Sequence, residues 1–255
     1  MTVIVRLEQL SVRYGREIAL ENIDLDARRG ETLAIIGESG SGKSTLALAL
    51  ASLLPANARI SGNMEWPEDR LKPGRDIGFV FQDPASSFDP LMTVGAQLVE
   101  TIRAHAKIDK TAAKAKAVSL LQRVHIPQPE LSFSRYPHQF SGGQKQRIGL
   151  ARALFGEPFF VLLDEPNSNL DSEGEMALRN AIGDIRARGG IVVVIAHRPS
   201  AIESVNLVMV MSGGRMLRFG TKEEVLAQIL RQNLHQVPAA EEETRKIENR
   251  VSENG

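Results

Sequence analysis

A glycine-rich segment near the start of the chain has the residue types needed to bind phosphate. It reads GESGSGKS and directly follows the apolar run TLAII. Glycines let backbone N–H groups curl around phosphate oxygens, and a glycine–serine turn that only joins two elements would need neither the lysine nor the hydroxyl after it. The spacing predicts a phosphate-binding loop between a strand and a helix. The residues expected to contact the nucleotide there are Gly37, Ser39, Gly40, Ser41, Gly42, Lys43, Ser44 and Thr45.

Two carboxylates follow a second apolar run, FFVLL. Asp164 and Glu165 stand at the predicted carboxyl end of a buried strand. In a phosphate-loop protein a carboxylate at this place can hold Mg²⁺, directly or through water, while the hydroxyl of Ser44 ligates the same ion. Glu165 is placed to polarise a water for attack on the γ-phosphate. Such a pair can also cap a helix, but the phosphate loop favours the catalytic interpretation.

Composition narrows the class of protein. The 255 residues include 31 basic and 31 acidic side chains, so no net charge attracts the chain to nucleic acid or anionic lipid. Cysteine is absent, which excludes disulfides and thiolate metal sites. The longest apolar runs are far shorter than the roughly 20 residues that span a bilayer, and the first ten residues do not resemble a signal peptide. Any membrane role is therefore expected to act through a partner.

The order of apolar patterns predicts an α/β fold. The chain begins with the strand-like segments VIVRLEQL, IALENIDLDA and ETLAIIG, and ARISGNMEW and DIGFVF follow the first helix. From about Val94 the pattern becomes helical, and three prolines near residues 127–137 interrupt it. Afterwards helices alternate with the continuous apolar runs that are typical of buried parallel strands.

A third motif indicates a family. The segment FSGGQKQR, from Phe140 to Arg147, is followed by IGLARAL and resembles the signature of ATP-binding cassette (ABC) ATPases. Many other phosphate-loop enzymes lack this motif. The resemblance covers roughly Val3 to Gln232 and implies ATP and Mg²⁺ as cofactors and ATP hydrolysis as the activity. It also implies a phosphate-loop NTPase core with a mainly parallel sheet, an N-terminal antiparallel β-subdomain and an inserted α-helical subdomain.

The same resemblance assigns roles to further residues. Tyr14 matches the aromatic that stacks on adenine, and Gln82 matches the glutamine that senses Mg²⁺ and water. Asp171, in SNLD, matches the loop that crosses the dimer interface, and His197 matches the histidine that contacts the γ-phosphate. The implied catalytic residues are Glu165, His197 and Gln82, the metal-binding residues are Ser44, Gln82 and Asp164, and the signature residues are Ser141, Gly142, Gly143 and Gln144.

The signature predicts that a complete nucleotide site requires two subunits. Ser141 and the two glycines after it stand at a helix start, so they offer a second cradle for phosphate. In the family the two cradles of one site belong to different subunits, packed head to tail around two ATP molecules. The expected partners are a second ABC ATPase subunit, identical or different, and membrane permease subunits. The expected location is cytoplasmic, on the inner face of the cell membrane through those permeases, with no direct membrane insertion and no nucleic acid.

We expect residues 1–237 to form one ABC ATPase domain, with the helical subdomain inserted at about 84–157. Residues 238–255 form a charged tail without apolar periodicity, which predicts a solvated segment. Chromosome-maintenance and repair relatives carry a long coiled coil between the two halves, and translation-factor relatives carry two cassettes. Neither feature is present, and a small-molecule kinase would not need SGGQ. The favoured interpretation is a transporter motor.

The transported substrate is left open, because the two halves resemble different branches. QDPASSFDPLMTVGAQL and YPHQFSGGQ resemble importers of peptides and nickel, whereas DEPNSNLDSEGE and IAHRPSAI resemble protein-secretion exporters. An importer of a peptide-like or nickel-type substrate is favoured, with a type I secretion-like exporter as the alternative. The change of resemblance also suggests a mosaic chain with a junction between Gln139 and Pro158.

Overall fold

A computed structural model of the chain describes residues 2–66, 75–83, 87–167, 170–196, 202 and 204–236. The described residues form two sheets with helices packed around them. The strands are β1 (Val3–Tyr14), β2 (Glu17–Arg28), β3 (Thr32–Gly37), β4 (Ala58–Glu65), β5 (Ile77–Val80), β6 (Phe160–Asp164), β7 (Ile191–Ile195), β8 (Leu207–Ser212) and β9 (Arg215–Thr221). The helices are α1 (Lys43–Leu50), α2 (Val94–His105), α3 (Lys110–Arg123), α4 (Pro129–Ser132), α5 (Gly142–Ala153), α6 (Ser172–Ala187) and α7 (Lys222–Gln236).

The first sheet is antiparallel and has the strand order β2-β1-β4. β1 and β2 form a hairpin in which Tyr14 pairs with Glu17, and Gly15 takes the turn with φ of 62°. Alternate residues of β1 are buried, including Val5 and Leu7, because successive side chains of a strand point to opposite faces. The predicted N-terminal antiparallel sheet is confirmed.

The second sheet is mainly parallel and has the strand order β5-β6-β7-β3-β8-β9. Its first five strands run parallel to one another, and only β9 pairs antiparallel, with β8. The carboxyl ends of β3 and β6 therefore lie at the same edge of the sheet, separated by one strand, β7. This edge is where the phosphate loop and the carboxylate pair both begin.

The continuous apolar strands are explained by burial on both faces. On one face Val161, Leu163 and Val194 pack against the helices α2, α3, α5 and α6. On the other face Leu162 and Val193 pack against α1 and the antiparallel sheet. Because side chains alternate between two covered faces, every residue of β6 and β7 is apolar except the terminal Asp164. The predicted α/β class with a mainly parallel sheet is confirmed.

The helices α2 to α5 follow β5 in the chain, and side chains cap the starts of α2, α3 and α5. The side chain of Thr93 accepts the N–H of Ala96 at 3.2 Å, and that of Asp109 accepts the N–H of Ala112 at 2.8 Å. Such caps satisfy N–H groups that have no partner within the helix. The bounds of the inserted subdomain and of the tail stay a prediction, and residues 237–255 lie outside the described part of the chain.

Candidate functional site

The loop between β3 and α1 needs glycine at two positions because the backbones of β8 and β2 lie too close for a side chain. At Gly37, where φ is 154°, an added Cβ would collide with the carbonyl oxygen of Met211. At Gly42, where φ is 97°, an added Cβ would lie 2.6 Å from the carbonyl oxygen of Ala19. A side chain at either position would therefore distort the loop.

Lys43 is held inside this loop and is only 5% exposed. Its Nζ donates hydrogen bonds to the carbonyl oxygens of Gly37 at 2.9 Å and Glu38 at 2.6 Å, and to Ser41 Oγ at 3.3 Å. Burial lowers the pKa of the Lys43 ammonium, and the negative charges of the carboxylate pair after β6 oppose this effect. The loop thus fixes a positive charge within electrostatic reach of that pair.

The amino-terminal end of α1 is suited to an anion. Within the part of the chain that the structure describes, no side chain caps this helix, and its first turn contains no acidic residue. Ser44, in that first turn, is exposed, and Thr45 is half-buried. The first N–H groups and the positive end of the helix dipole therefore face the loop, where a phosphate would complete their hydrogen bonding.

The carboxylate pair lies at the edge of the sheet that the parallel topology predicts. Asp164 ends β6 and is 8% exposed. Glu165 follows with φ of 47°, a left-handed conformation that is uncommon for this residue type. Its backbone N–H donates to the carbonyl oxygen of Ile195 at 3.0 Å, which fastens the pair to the end of β7. Both carboxylates favour the charged form of Lys43 and so oppose the lowering of its pKa by burial.

The signature segment forms the exposed start of α5, a helix that is otherwise mostly buried. Ser141 Oγ accepts the N–H of Gln144 at 3.2 Å, and Gln144 Oε1 accepts the N–H of Ser141 at 3.0 Å. This reciprocal capping box fixes the first turn of α5. Ser141 and Gly142 are exposed and Gly143 is buried. Because the hydroxyl acts as an acceptor in the cap, its own proton stays available to a ligand.

The contacts of Arg147 could not be predicted from the sequence, although this residue is part of the signature motif. The side chain of Arg147 is 3% exposed and donates to the carbonyl oxygen of His125 at 2.7 Å. Its guanidinium also contacts Asp171 at 3.4 Å and Glu173 at 3.5 Å. Asp171 in turn caps α6 by accepting the N–H of Gly174 at 2.8 Å. Arg147 therefore fixes α5 to the start of α6.

The described site residues thus form two groups, one around Lys43 and one around Ser141. Tyr14 ends β1 and packs half-buried against the core beside the antiparallel sheet. Gln82 is exposed and lies just beyond β5. His197 lies outside the described residues and is the second residue after β7 in the sequence. The roles expected for these residues stay predictions.

The predicted Mg²⁺ ligands supply only oxygen donors, which is the chemistry that Mg²⁺ prefers. They are the exposed hydroxyl of Ser44, the exposed amide of Gln82 and the carboxylate of Asp164 at the sheet edge. Among the described residues no group of three or more His, Asp or Glu side chains could hold a metal ion. A site in which the protein supplies every ligand is not needed, because Mg²⁺ usually takes one or two protein ligands together with water and substrate phosphates. The residues present therefore fit the ion.

A buried lysine within a glycine loop, a helix start open to an anion and an acidic strand end together define a phosphate-loop nucleotide-binding protein. The sequence profile of the family described as "ABC transporter" matches residues 20–168, which is more than half of the chain. The chain belongs to this family, and its fold is that of the ATP-binding cassettes. None of the described helices has the length and apolar character that crossing a bilayer requires.

Two curated relatives point to different kinds of transport. The chain is 41% identical over 223 residues to the type I secretion system ATP-binding protein PrsD of Rhizobium meliloti, covering 85% of the chain and 38% of the relative. It is 36% identical over 227 residues to the oligopeptide transport ATP-binding protein OppD of Bacillus subtilis, covering 83% of the chain and 63% of the relative. The chain thus spans less than two thirds of either relative.

A solved structure supports the fold. The chain resembles the dimeric ATP-binding cassette MJ0796, solved in a post-hydrolysis state with ADP and Pi. The TM-score is 0.72 at 26% identity, with 86% of this chain and 98% of that chain covered. The expectation of an ABC ATPase domain is confirmed at the level of family and fold.

The comparisons do not support the hypothesis of a mosaic chain. A single alignment with PrsD spans 85% of the chain, and a single alignment with OppD spans 83%. Both alignments are too long to stop at a junction in the middle of the chain.

Proposed function

We propose that the chain is the ATP-hydrolysing motor subunit of an ABC transporter and that it works as a head-to-tail dimer. The observation that carries this proposal is the presence of two separate anion-binding features in one chain. One is the loop around Lys43, and the other is the exposed, capped helix start at Ser141. In the dimer, the start of α5 in one subunit covers the nucleotide on the loop of the other subunit. The two subunits are either identical or different ABC ATPases.

The proposed reaction is hydrolysis of ATP to ADP and phosphate. The loop and the start of α1 hold the phosphates, and Lys43 neutralises charge on the β- and γ-phosphates. Glu165 takes a proton from the attacking water as the water oxygen bonds to the γ-phosphorus and the bond to the bridging oxygen breaks. Mg²⁺, held by Ser44, Gln82 and Asp164, would neutralise the phosphate charge. Tyr14 is proposed to stack on adenine, and His197 to contact the γ-phosphate.

The motor is proposed to act on membrane permease subunits and so to lie at the cytoplasmic face of the cell membrane. A surface loop between β5 and α2 favours such a contact, because Leu91 within it has 85% of its surface exposed. A large apolar side chain held in water is often part of an interaction site. Import of a peptide-like or nickel-type substrate is supported by the OppD relative, and export is supported by the PrsD relative. The membrane protein that copurifies with the chain would distinguish them.

Two substitutions test the assigned chemistry. Lys43→Ala should weaken ATP binding, because it removes a fixed positive charge from the phosphates. Glu165→Gln should leave binding intact, reduce turnover about a hundredfold or more and trap a closed dimer with ATP. The measurements are nucleotide binding, phosphate release and light scattering with ATP and Mg²⁺. The matched control is Glu130→Gln, an exposed glutamate on α4, which should hydrolyse ATP at the parental rate. Parental turnover by Glu165→Gln would show that the base assignment is wrong.

A further inference from the structure

A short surface segment, residues 87–92, connects the region of Gln82 to α2 and is named the Leu91 loop here. Its most exposed apolar side chain is that of Leu91, with 85% of its surface exposed, whereas Phe88 is 7% exposed. The side chain of Asp89 accepts the N–H of Leu91 at 2.8 Å, which forms a tight turn at the tip. The loop thus presents one apolar side chain from an ordered backbone.

Gln97 fixes the loop from the side of α2. This glutamine is 7% exposed, and its Oε1 accepts the N–H of Asp89 at 3.1 Å. Its Nε2 donates to the carbonyl oxygens of Asp89 at 2.9 Å and Met92 at 3.0 Å. Three hydrogen bonds from one buried amide leave the loop little freedom to move independently of α2.

Arg152 fixes the loop from the side of the signature helix. Its Nη1 donates to the carbonyl oxygen of Ser87 at 2.9 Å, and its guanidinium lies 5.3 Å from the centroid of the Phe88 ring. Burial lowers the pKa of Arg152, which reflects the cost of removing the charge from water. This cost is partly offset by the hydrogen bond and by the cation–π contact.

Ser141 and Arg152 belong to the same rigid element. Ser141 caps α5 and Arg152 lies in its last turn, so the two are about 16 Å apart at a rise of about 1.5 Å per residue. Arg147, between them, is tied to His125, Asp171 and Glu173. A displacement of α5 at the Ser141 end therefore also moves Arg152 Nη1, which donates the hydrogen bond to the carbonyl oxygen of Ser87.

We propose that Arg152 is a positioning residue that couples the Leu91 loop to the signature helix. Closure of the dimer on ATP at Ser141 displaces α5, and Arg152 carries this displacement to the loop. By thermodynamic reciprocity, a permease that binds Leu91 then changes the affinity of the signature for ATP. This proposal rests on the proposed function, since it requires ATP-driven closure.

Hydrogen exchange of the full chain tests the coupling. In a Glu165→Gln background, ATP with Mg²⁺ should change amide exchange in residues 88–98 by about fivefold or more, the lower end of ordinary coupling between sites. Adding Arg152→Gln should abolish this change, while exchange protection of residues 37–45 by ATP and dimer formation persist. Arg152→Lys should retain part of the change, because lysine can still donate to Ser87. Arg179→Gln, an exposed arginine on α6, is the matched control and should behave like the background.

The outcomes separate the coupling from the proposed function. If ATP changes the amide exchange of residues 88–98 in Arg152→Gln or Arg152→Lys as much as in the background, Arg152 is only a structural contact. A closed dimer with no loop response in the Glu165→Gln background would also overturn the coupling, but not the motor function. Failure of Glu165→Gln to bind ATP or dimerise would overturn both. If Arg152→Gln does not fold, Arg152→Lys alone decides, since an undiminished response contradicts the proposal.

Discussion

At the scale of single residues, the phosphate loop shows how charge and space combine in one segment. Lys43 can be buried because three oxygen acceptors of the loop surround its ammonium. Glycine is needed beside Lys43 because there is no space for a side chain and because the backbone takes positive φ values there. This part of the site could be predicted from the sequence, because its hydrogen bonds are made within eight residues of chain and only the close approach of β2 and β8 comes from elsewhere.

Gly42→Ala tests the spatial requirement. The added methyl group would lie 2.6 Å from the carbonyl oxygen of Ala19 and would also need φ of 97°, which an L side chain rarely adopts. We expect a loss of about 1–3 kcal/mol in the free energy of unfolding and a weakening of ATP binding by about tenfold or more. Thermal denaturation and nucleotide titration measure the two effects.

Gly183→Ala is the matched control for this substitution. Gly183 lies within α6, and an added Cβ there meets no atom within 4 Å. Alanine is favoured over glycine in a helix interior by up to about 1 kcal/mol, so stability should stay equal or rise. Equal ATP affinity in Gly42→Ala and Gly183→Ala would contradict the steric account of the loop.

At the scale of elements, α5 connects more parts of the site than its sequence reveals. The helix and its serine cap could be predicted from SGGQ and the periodicity that follows. The links made by Arg147 and Arg152 could not, because Asp171 and Ser87 are 24 and 65 residues away in the chain. Such pairs depend on how helices pack, and local patterns carry no information about that packing. The burial of Gln97 could not be predicted either, because a glutamine in a helix is usually exposed to solvent.

Substitutions of Ser141 separate the cap of α5 from its proposed ligand. Ser141→Ala removes the acceptor for the N–H of Gln144 and should cost about 1 kcal/mol of stability. Ser141→Asp keeps a capping oxygen and adds a charge that the helix dipole favours, so stability should stay within a few tenths of a kcal/mol. The same charge would repel the phosphates of a partner's ATP, and dimers should not form.

Chemical denaturation and light scattering with ATP measure the two effects of Ser141→Asp. A stable variant that binds ATP on its own loop but remains monomeric is the expected result. If Ser141→Asp dimerises with ATP as well as the parental chain, the signature does not face a phosphate. The comparison with Ser141→Ala shows how much of any change is due to the cap alone.

At the scale of the whole molecule, the parallel sheet determines where the chemistry lies. β3 and β6 end at one edge, so the loop and the carboxylate pair meet there although they are more than 100 residues apart in the chain. Ligand sites at the carboxyl ends of parallel strands are a general property of such sheets. The α/β alternation predicted this arrangement, but the order of the strands and the position of β9 became known only from the structure. In the proposed dimer, the nucleotide of one chain binds at this edge, and the signature of the same chain contacts the nucleotide of the second chain.

Mixing two inactive variants tests the head-to-tail dimer. Lys43→Ala has a defective loop and an intact signature, whereas Ser141→Asp has an intact loop and a defective signature. A dimer of either variant alone contains no complete site, because each site takes its loop from one subunit and its signature from the other. A mixed dimer contains one complete site, so phosphate release should appear on mixing and should depend on the concentration of both partners. A mixture of Lys43→Ala with Glu165→Gln serves as the control, since neither variant supplies an active loop. Activity of the first mixture no greater than the sum of its components would show that each chain completes its own site.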